Sequence, residues 1–250
     1  MKKLYNKSEL TFTLIWIFVY CISMSVADNF KPNESIKGIA SLSVIGLLCL
    51  ILTLFVKKEG LLKNYGLCIP QIPSSKMLFY LPVAALLTVN LWYGFAFRLT
   101  VAEAIIYVLT MLGVGYFEEL IFRGFLFGAM AKDNLTAAVA VSSITFGIGH
   151  IINLFNGSGM ELAENIFQII SAVAVGFMFV TVYLKSKSLI ICILTHGIFN
   201  ALSAFSDEAA VTLQKRILST VFIILLCTGY GLYLSLTDKK TKIKPEDNNL

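Results

Sequence analysis

Six polar side chains set in apolar surroundings could do chemistry in this 250-residue chain: Glu118, Glu119, Arg123, His150, His196 and Asn200. His150 and His196 are the only two histidines it has. A carboxylate can take a proton from water, an imidazole can orient that water or pass protons, and an amide or imidazole N–H can stabilise an oxyanion. Helical positions i and i+4 share a face. Glu119 and Arg123 have that spacing with the acid first, Phe146 precedes His150 by four, and His196 precedes Asn200 by four. Glu118 is turned about 100° from Glu119 on a helix of 3.6 residues per turn. If Arg123 neutralises Glu119, Glu118 is the carboxylate free to face a cavity.

Each piece also has a structural reading. A Glu–Arg pair near a helix end can be a clamp or a snorkelling charge. A lone histidine can bond a neighbouring helix, and Asn200 can be interhelical glue. Glu103, Asp207, Glu208, Lys215 and Arg216 fall at loop edges, and Glu161 and Glu164 on a loop, where solvation accounts for them. The joint occurrence of acid, imidazole and amide on three apolar helices favours a site.

The elements that hold these residues follow from composition. Hydrophobic residues make up 57% of the chain and charged residues 14%, with a mean hydropathy of +0.80. A soluble globule of this size cannot hide so much apolar surface, and a disordered chain is poor in it. Five scattered cysteines without a CxxC pair exclude a disulfide scaffold, a zinc finger and thioredoxin-like chemistry. The expectation is an all-α, polytopic transmembrane bundle, since helices satisfy their own backbone in lipid.

Apolar runs near the roughly 20 residues a span needs fall at 10–27, 38–56, 77–97, 134–160, 165–184, 188–206 and 217–237. An eighth, 104–117, is short unless Glu118 and Glu119 are allowed inside it. About eight spans result. Fifteen of the 20 basic residues then lie on one side, including Lys2, Lys3, Lys7, Lys57, Lys58, Lys63, Lys76, Lys132 and the lysines of the polar tail 238–250. The other side holds Lys31, Lys37, Arg98, Lys215 and Arg216. The positive-inside rule puts both termini in the cytoplasm. The net charge of +5 is explained by juxtamembrane lysines against anionic lipid, with no nucleic-acid partner. Basic residues 1–7 followed by an apolar run also suit a cleavable signal peptide, although the run is long enough to be a retained span. Loop signals fall at 57–75 and 156–159. Straight helices drawn from these boundaries leave His150 roughly 10–15 Å deeper than Glu118 or His196, so the fifth helix must start within the membrane or tilt.

At these residues the sequence resembles the CAAX protease and bacteriocin-processing (CPBP/Abi) family of intramembrane endopeptidases. That family's signatures are EExxxR, FxxxH and HxxxN or HxxxD on successive helices. The chain reads EELIFR at 118–123, FGIGH at 146–150 and HGIFN at 196–200. The resemblance covers a core at 101–205, flanked by three expected spans in 1–100 and a final span and tail in 206–250.

The resemblance implies that Glu118 activates water for attack on a peptide carbonyl and that His150 positions it. It implies that His196 and Asn200 donate to the oxyanion, while Glu119 and Arg123, with Phe146 alongside, hold the motifs in shape. It favours catalysis without a cofactor. The competing possibility is a His₂Glu zinc site of His150, His196 and Glu118, though no HExxH is present. The implied substrate is a peptide or membrane-associated precursor, processed as in bacteriocin maturation, peptide signalling or CAAX trimming. Short loops and abundant lysine suggest a bacterial cell membrane, with lipid as the other partner. A proton-coupled transporter using the same groups as a relay, or a non-catalytic scaffold, are readings of another class. Transporters commonly carry repeated halves or paired broken helices, and neither is visible. The oligomeric state is not written in the sequence.

Overall fold

The computed structural model describes residues 1–30, 34–72, 79–156 and 159–237, with only the backbone described at 34–37. Several expected features lie outside the described residues: Lys31, the Lys37 side chain, Lys76, part of the loops at 57–75 and 156–159, and the tail 238–250. All described elements of more than a single bridge are helical. They are α1 (Lys2–Lys7), α2 (Glu9–Asn29), α3 (Glu34–Lys58), α4 (Leu81–Leu87), α5 (Val101–Glu119), α6 (Phe127–Ala131), α7 (Leu135–Gly149), α8 (Leu162–Ser186), α9 (Ile190–Leu202) and α10 (Leu213–Thr237).

The helix starts are written in local chemistry. The Ser8 side chain accepts from Thr11 N before α2, Asn134 accepts from Ala137 N before α7, and Thr100 and Glu103 form a reciprocal capping box before α5. Each satisfies backbone donors that a helix start leaves unpaired. The outer faces stay apolar: on α2, Leu14, Phe18, Ile22 and Val26 recur every four residues and are all exposed. Such a stripe suits lipid, where an apolar surface has nothing to gain by burial.

Among the described residues six helices are long and apolar enough to cross a membrane: Glu9–Asn29, Gly38–Lys58, Val101–Ala131, Leu135–Leu154, Leu162–Ser186 and Leu213–Thr237. Two other apolar helices are shorter, Leu81–Tyr93 and Ile190–Phe205. The run at 77–97 therefore yields a short helix rather than a full span. Pro82 stands in its first turn, a 3₁₀ turn follows at Val89–Tyr93, and Gly94 ends it at φ 106°. Asn90 Nδ2 donates to the carbonyl of Phe199 at 2.5 Å, fastening this segment to α9.

The short expected helix at 104–117 is instead the first half of a 31-residue helix, Val101–Ala131. The chain runs through the carboxylates without a break, by way of a π-helical segment at Leu120–Leu126. Segments of this kind recur at functional sites because they re-aim side chains without ending the helix. The continuation removes the depth discrepancy between His150 and Glu118. Glu118 stands 13 residues from the Ala131 end and His150 follows the 15-residue α7 from its Leu135 start. At about 1.5 Å per residue both lie about 20 Å from the same end of the bundle.

That end carries the lysines. Lys2 pairs with Glu59 at 2.7 Å, Lys132 pairs with Glu9, and Tyr65 donates to Glu9 while bonding Tyr5 at 2.6 Å. At the opposite end Arg98 pairs with Glu208 at 2.5 Å and Arg216 with Glu164 at 2.5 Å. The loop-edge charges read as solvated are thus partly paired, and the Arg98 hydrogen bond holds the Glu208 carboxyl below its ordinary range. Among the described residues, two larger apolar clusters and a smaller one of Phe127, Ala138 and Val180 fill the interior. Of the larger two, one joins Phe12, Leu52, Phe55, Phe117 and Phe125 across α2, α3 and the α5–α6 helix, and the other joins Leu86, Met178, Phe179, Ile223 and Cys227 across α4, α8 and α10.

Candidate active site

Two glycine contacts set the distances between the helices that carry the polar residues. A Cβ on Gly115 would meet the Gly197 nitrogen at 2.6 Å, and one on Gly197 would meet Leu112 Cα at 3.0 Å. Only residues without side chains allow α5 and α9 to cross this closely, as small residues do at membrane helix interfaces. His196 precedes Gly197 at that crossing, so its ring is delivered directly onto the carboxylates of the facing helix.

His196 Nδ1 lies 2.9 Å from Glu119 Oε1, and its Nε2 lies 3.6 Å from Glu118 Oε2. Glu119 Oε1 also accepts from Arg123 Nη1 at 2.9 Å. The two carboxylates thus have different surroundings. Glu119 and Arg123 have no exposed side-chain surface, whereas the Glu118 side chain keeps 12%. Of the pair, Glu118 is the one that water can reach. An ionised carboxylate only accepts, so His196 Nδ1 carries the proton it shares with Glu119, and Nε2 is the atom directed at Glu118.

Arg123 is held by more than its ion pair. Its guanidinium carbon sits 4.0 Å from the Phe146 ring centroid and 5.6 Å from that of Phe179. A planar cation stacks well on aromatic faces. Arg123 Nε and Nη2 and Glu119 Oε2 are buried with no hydrogen-bond partner among the described residues. Phe146 is a shared packing surface, with its centroid 5.2 Å from that of His150 and 5.5 Å from that of His196, edge-on to both.

His150 stands where α7 gives way to a 3₁₀ turn, His150–Leu154. Its Nδ1 lies 3.0 Å from the Phe146 carbonyl, and a carbonyl only accepts, so this nitrogen is the donor. Its other nitrogen is left for the site, with the Phe146 ring packed edge-on to both His150 and His196. Asn200 lies one turn beyond His196 on α9 and is half-buried. Its side chain forms no hydrogen bond among the described residues, and its backbone carbonyl accepts from Ser203 at 2.6 Å.

Three contributors were not singled out from the sequence. Tyr20, on α2, donates to Glu118 Oε1 at 2.6 Å. A hydroxyl in the middle of an apolar span was the available signal, since such a group needs a partner. Asn165, almost fully buried at the start of α8, donates to the His150 carbonyl at 2.8 Å. Gly147 lets α7 approach α8, where a Cβ would meet Val173 Cγ2 at 2.3 Å and the Ile169 carbonyl at 2.9 Å. No sequence spacing links Tyr20 or Asn165 to the motifs, and although Gly147 lies within FGIGH its role, like theirs, depends on which helices become neighbours.

Zinc ligation by His150, His196 and Glu118 was the competing expectation. Among the described residues no three His, Cys, Asp or Glu side chains are arranged to hold a metal ion. One ring nitrogen of each histidine is engaged, on Phe146 and on Glu119, which leaves the other ring nitrogen of each for the site.

Comparison with curated proteins gives no match. Residues 100–202, spanning α5 through α9, match the family model described as type II CAAX prenyl endopeptidase Rce1-like. That segment contains the two carboxylates, Arg123, both histidines and Asn200. This helical core is thus similar to the Rce1-like CAAX prenyl endopeptidases, a family of intramembrane peptide hydrolases.

Proposed function

We propose that this multi-pass membrane protein hydrolyses a peptide bond in a membrane-associated or peptide precursor, with Glu118 as the base that activates water. The observation that carries the reading is the unequal environment of the adjacent carboxylates. Glu119 is sealed against Arg123 and His196, while Glu118 keeps partial exposure and faces His196 Nε2 at 3.6 Å.

In this scheme Glu118 takes a proton from a water that His150 orients through its free ring nitrogen. The resulting hydroxide attacks the scissile carbonyl carbon. His196 Nε2 and Asn200 Nδ2 donate to the oxyanion. Because His196 Nδ1 is committed to Glu119, donation from Nε2 requires both ring nitrogens to carry protons. The proton held by Glu118 then passes to the leaving nitrogen, the C–N bond breaks, and a carboxylate and an amine result. Glu119 and Arg123 touch neither water nor carbonyl and act by fixing His196. The scheme uses no metal.

The family description supports a CAAX-like precursor, and we extend the proposal to a bacteriocin or signalling-peptide precursor reaching the site from the bilayer or the lysine-rich side. We place that side in the cytoplasm of a bacterial cell on the positive-inside rule. Quantitative mass spectrometry of membrane peptides from cells making the wild-type chain or Glu118→Ala tests the reading. New fragments sharing one cut position should appear only with the wild type. Indistinguishable peptide populations at equal protein levels would sink it.

A further inference from the structure

Glu118 is bracketed by two helices that do not follow one another in the chain. His196 approaches Oε2 from α9, and the Tyr20 hydroxyl donates to Oε1 at 2.6 Å from α2. Tyr20 lies outside residues 100–202, so the segment that matches the family supplies only one side of this bracket. A glutamate's terminal torsion is broad and nearly two-fold. A carboxylate without a fixed partner therefore presents either oxygen in a range of planes. One short hydrogen bond from a rigid donor removes that freedom.

The donor is rigid for identifiable reasons. The Tyr20 ring packs 5.0 Å from the Phe117 ring, the residue before the carboxylate pair. Eleven residues earlier on α2, Glu9 is ion-paired with Lys132 and accepts from Tyr65. Between these points Phe12 packs 5.1 Å from Phe55 and 5.5 Å from Phe125. The same two helices are thus pinned at two heights, about 16 Å apart by helical rise. This fixes both how far Tyr20 stands along the catalytic helix and which way its ring faces.

We infer that Tyr20 is a positioning residue for hydrolysis: its phenol holds Glu118 Oε1 so that Oε2, beside His196, is the oxygen that takes the proton from water. The inference rests on the reading of Glu118 as base. It assigns the first long helix a part in the active site rather than in anchoring alone. A hydrogen bond to a charged group is stronger than one between neutral groups. Its removal should therefore slow proteolysis by about 10- to 100-fold.

The test compares the wild-type full chain with Tyr20→Phe and Glu118→Ala. It measures the rate at which membrane-peptide fragments appear after pulse labelling, together with protein level. In parallel, infrared difference spectra of purified wild type against Glu118→Gln isolate the Glu118 carboxylate stretch, and the same difference is taken in the Tyr20→Phe background. The expected result is normal protein level, a shifted carboxylate band and fragments that form at least about 10-fold more slowly in Tyr20→Phe. A shift in the band separates this role from packing, which the isosteric phenyl ring preserves. If Glu118→Ala abolishes the fragments while Tyr20→Phe leaves both rate and band unchanged, the inference about Tyr20 is overturned and the reading of Glu118 stands. If Glu118→Ala leaves the fragments intact, the general-base reading fails and the role of Tyr20 fails with it.

Discussion

His196 Nδ1 and Glu119 Oε1 lie 2.9 Å apart, and that same oxygen accepts from Arg123 Nη1. One carboxylate oxygen therefore ties the first and third sequence motifs together across two helices. In the proposed scheme the second glutamate orients the histidine, and the first is left to face the reacting water.

Glu118→Ala, His150→Ala and His196→Ala should each lower proteolysis by about two orders of magnitude or more, the usual cost of losing a general base or an oxyanion donor. All three chains should still accumulate in membranes, because the α5–α9 and α7–α8 crossings depend on glycines rather than on these side chains. Fragment formation normalised to protein level is the measurement. Near wild-type activity in any one of them would remove that residue from the mechanism.

Arg123→Ala should differ by failing in stability. The guanidinium is fully buried between Glu119 and the Phe146 ring. Breaking a buried pair by removing one partner costs about 3–5 kcal/mol, whereas replacing both with apolar groups is often neutral. Protein level and thermal unfolding in detergent should fall sharply for Arg123→Ala and recover in the Glu119→Leu, Arg123→Leu double variant. The double variant should remain inactive, since His196 then has no orienting partner. Equal stability of the two variants would argue against an energetically important pair.

Chelation separates the glutamate scheme from zinc catalysis. Purified protein should keep its activity within about twofold in EDTA or phenanthroline and should bind well under one equivalent of zinc, because a zinc site needs three convergent protein ligands. Using Glu118 as the third ligand would remove the base, and using Glu119 would break its contacts with Arg123 and His196. Stoichiometric zinc that restores activity to chelator-treated protein would overturn the scheme and make the two histidines ligands.

Gly115→Ala tests the helix crossing. The added methyl meets backbone at 2.6 Å, which cannot yield as a flexible side chain would. Overpacking of this kind typically costs about 1–3 kcal/mol. Thermal stability should drop, and activity should drop further, because the same displacement draws His196 away from Glu119. Gly46→Ala, at a position where a Cβ meets nothing within 4 Å, is the control and should leave both unchanged.

The sequence alone determined the class of the molecule and the identity of the polar residues in its core. Composition required a membrane bundle, because 57% hydrophobic residues cannot be hidden in a globule of this size. The i, i+4 spacing of Glu119 and Arg123 announced a pair, since one helix contains both partners and needs no tertiary information to bring them together. Helix extents were less legible. Counting uncharged residues stopped the fourth span at Phe117 and gave residues 77–97 a full span. In the folded chain the carboxylates are tolerated mid-helix because Arg123, His196 and Tyr20 surround them. Pro82 and Gly94, which apolar counting ignores, confine the other segment to a short helix. Only the tertiary structure decided that Tyr20 meets Glu118 across 98 residues, that Asn165 holds the His150 carbonyl, and that His196 uses Nδ1 on Glu119 and turns Nε2 to Glu118. The reason is physical: such contacts depend on which helices become neighbours and how closely glycines let them approach, and one-dimensional periodicity records faces of helices but not their partners.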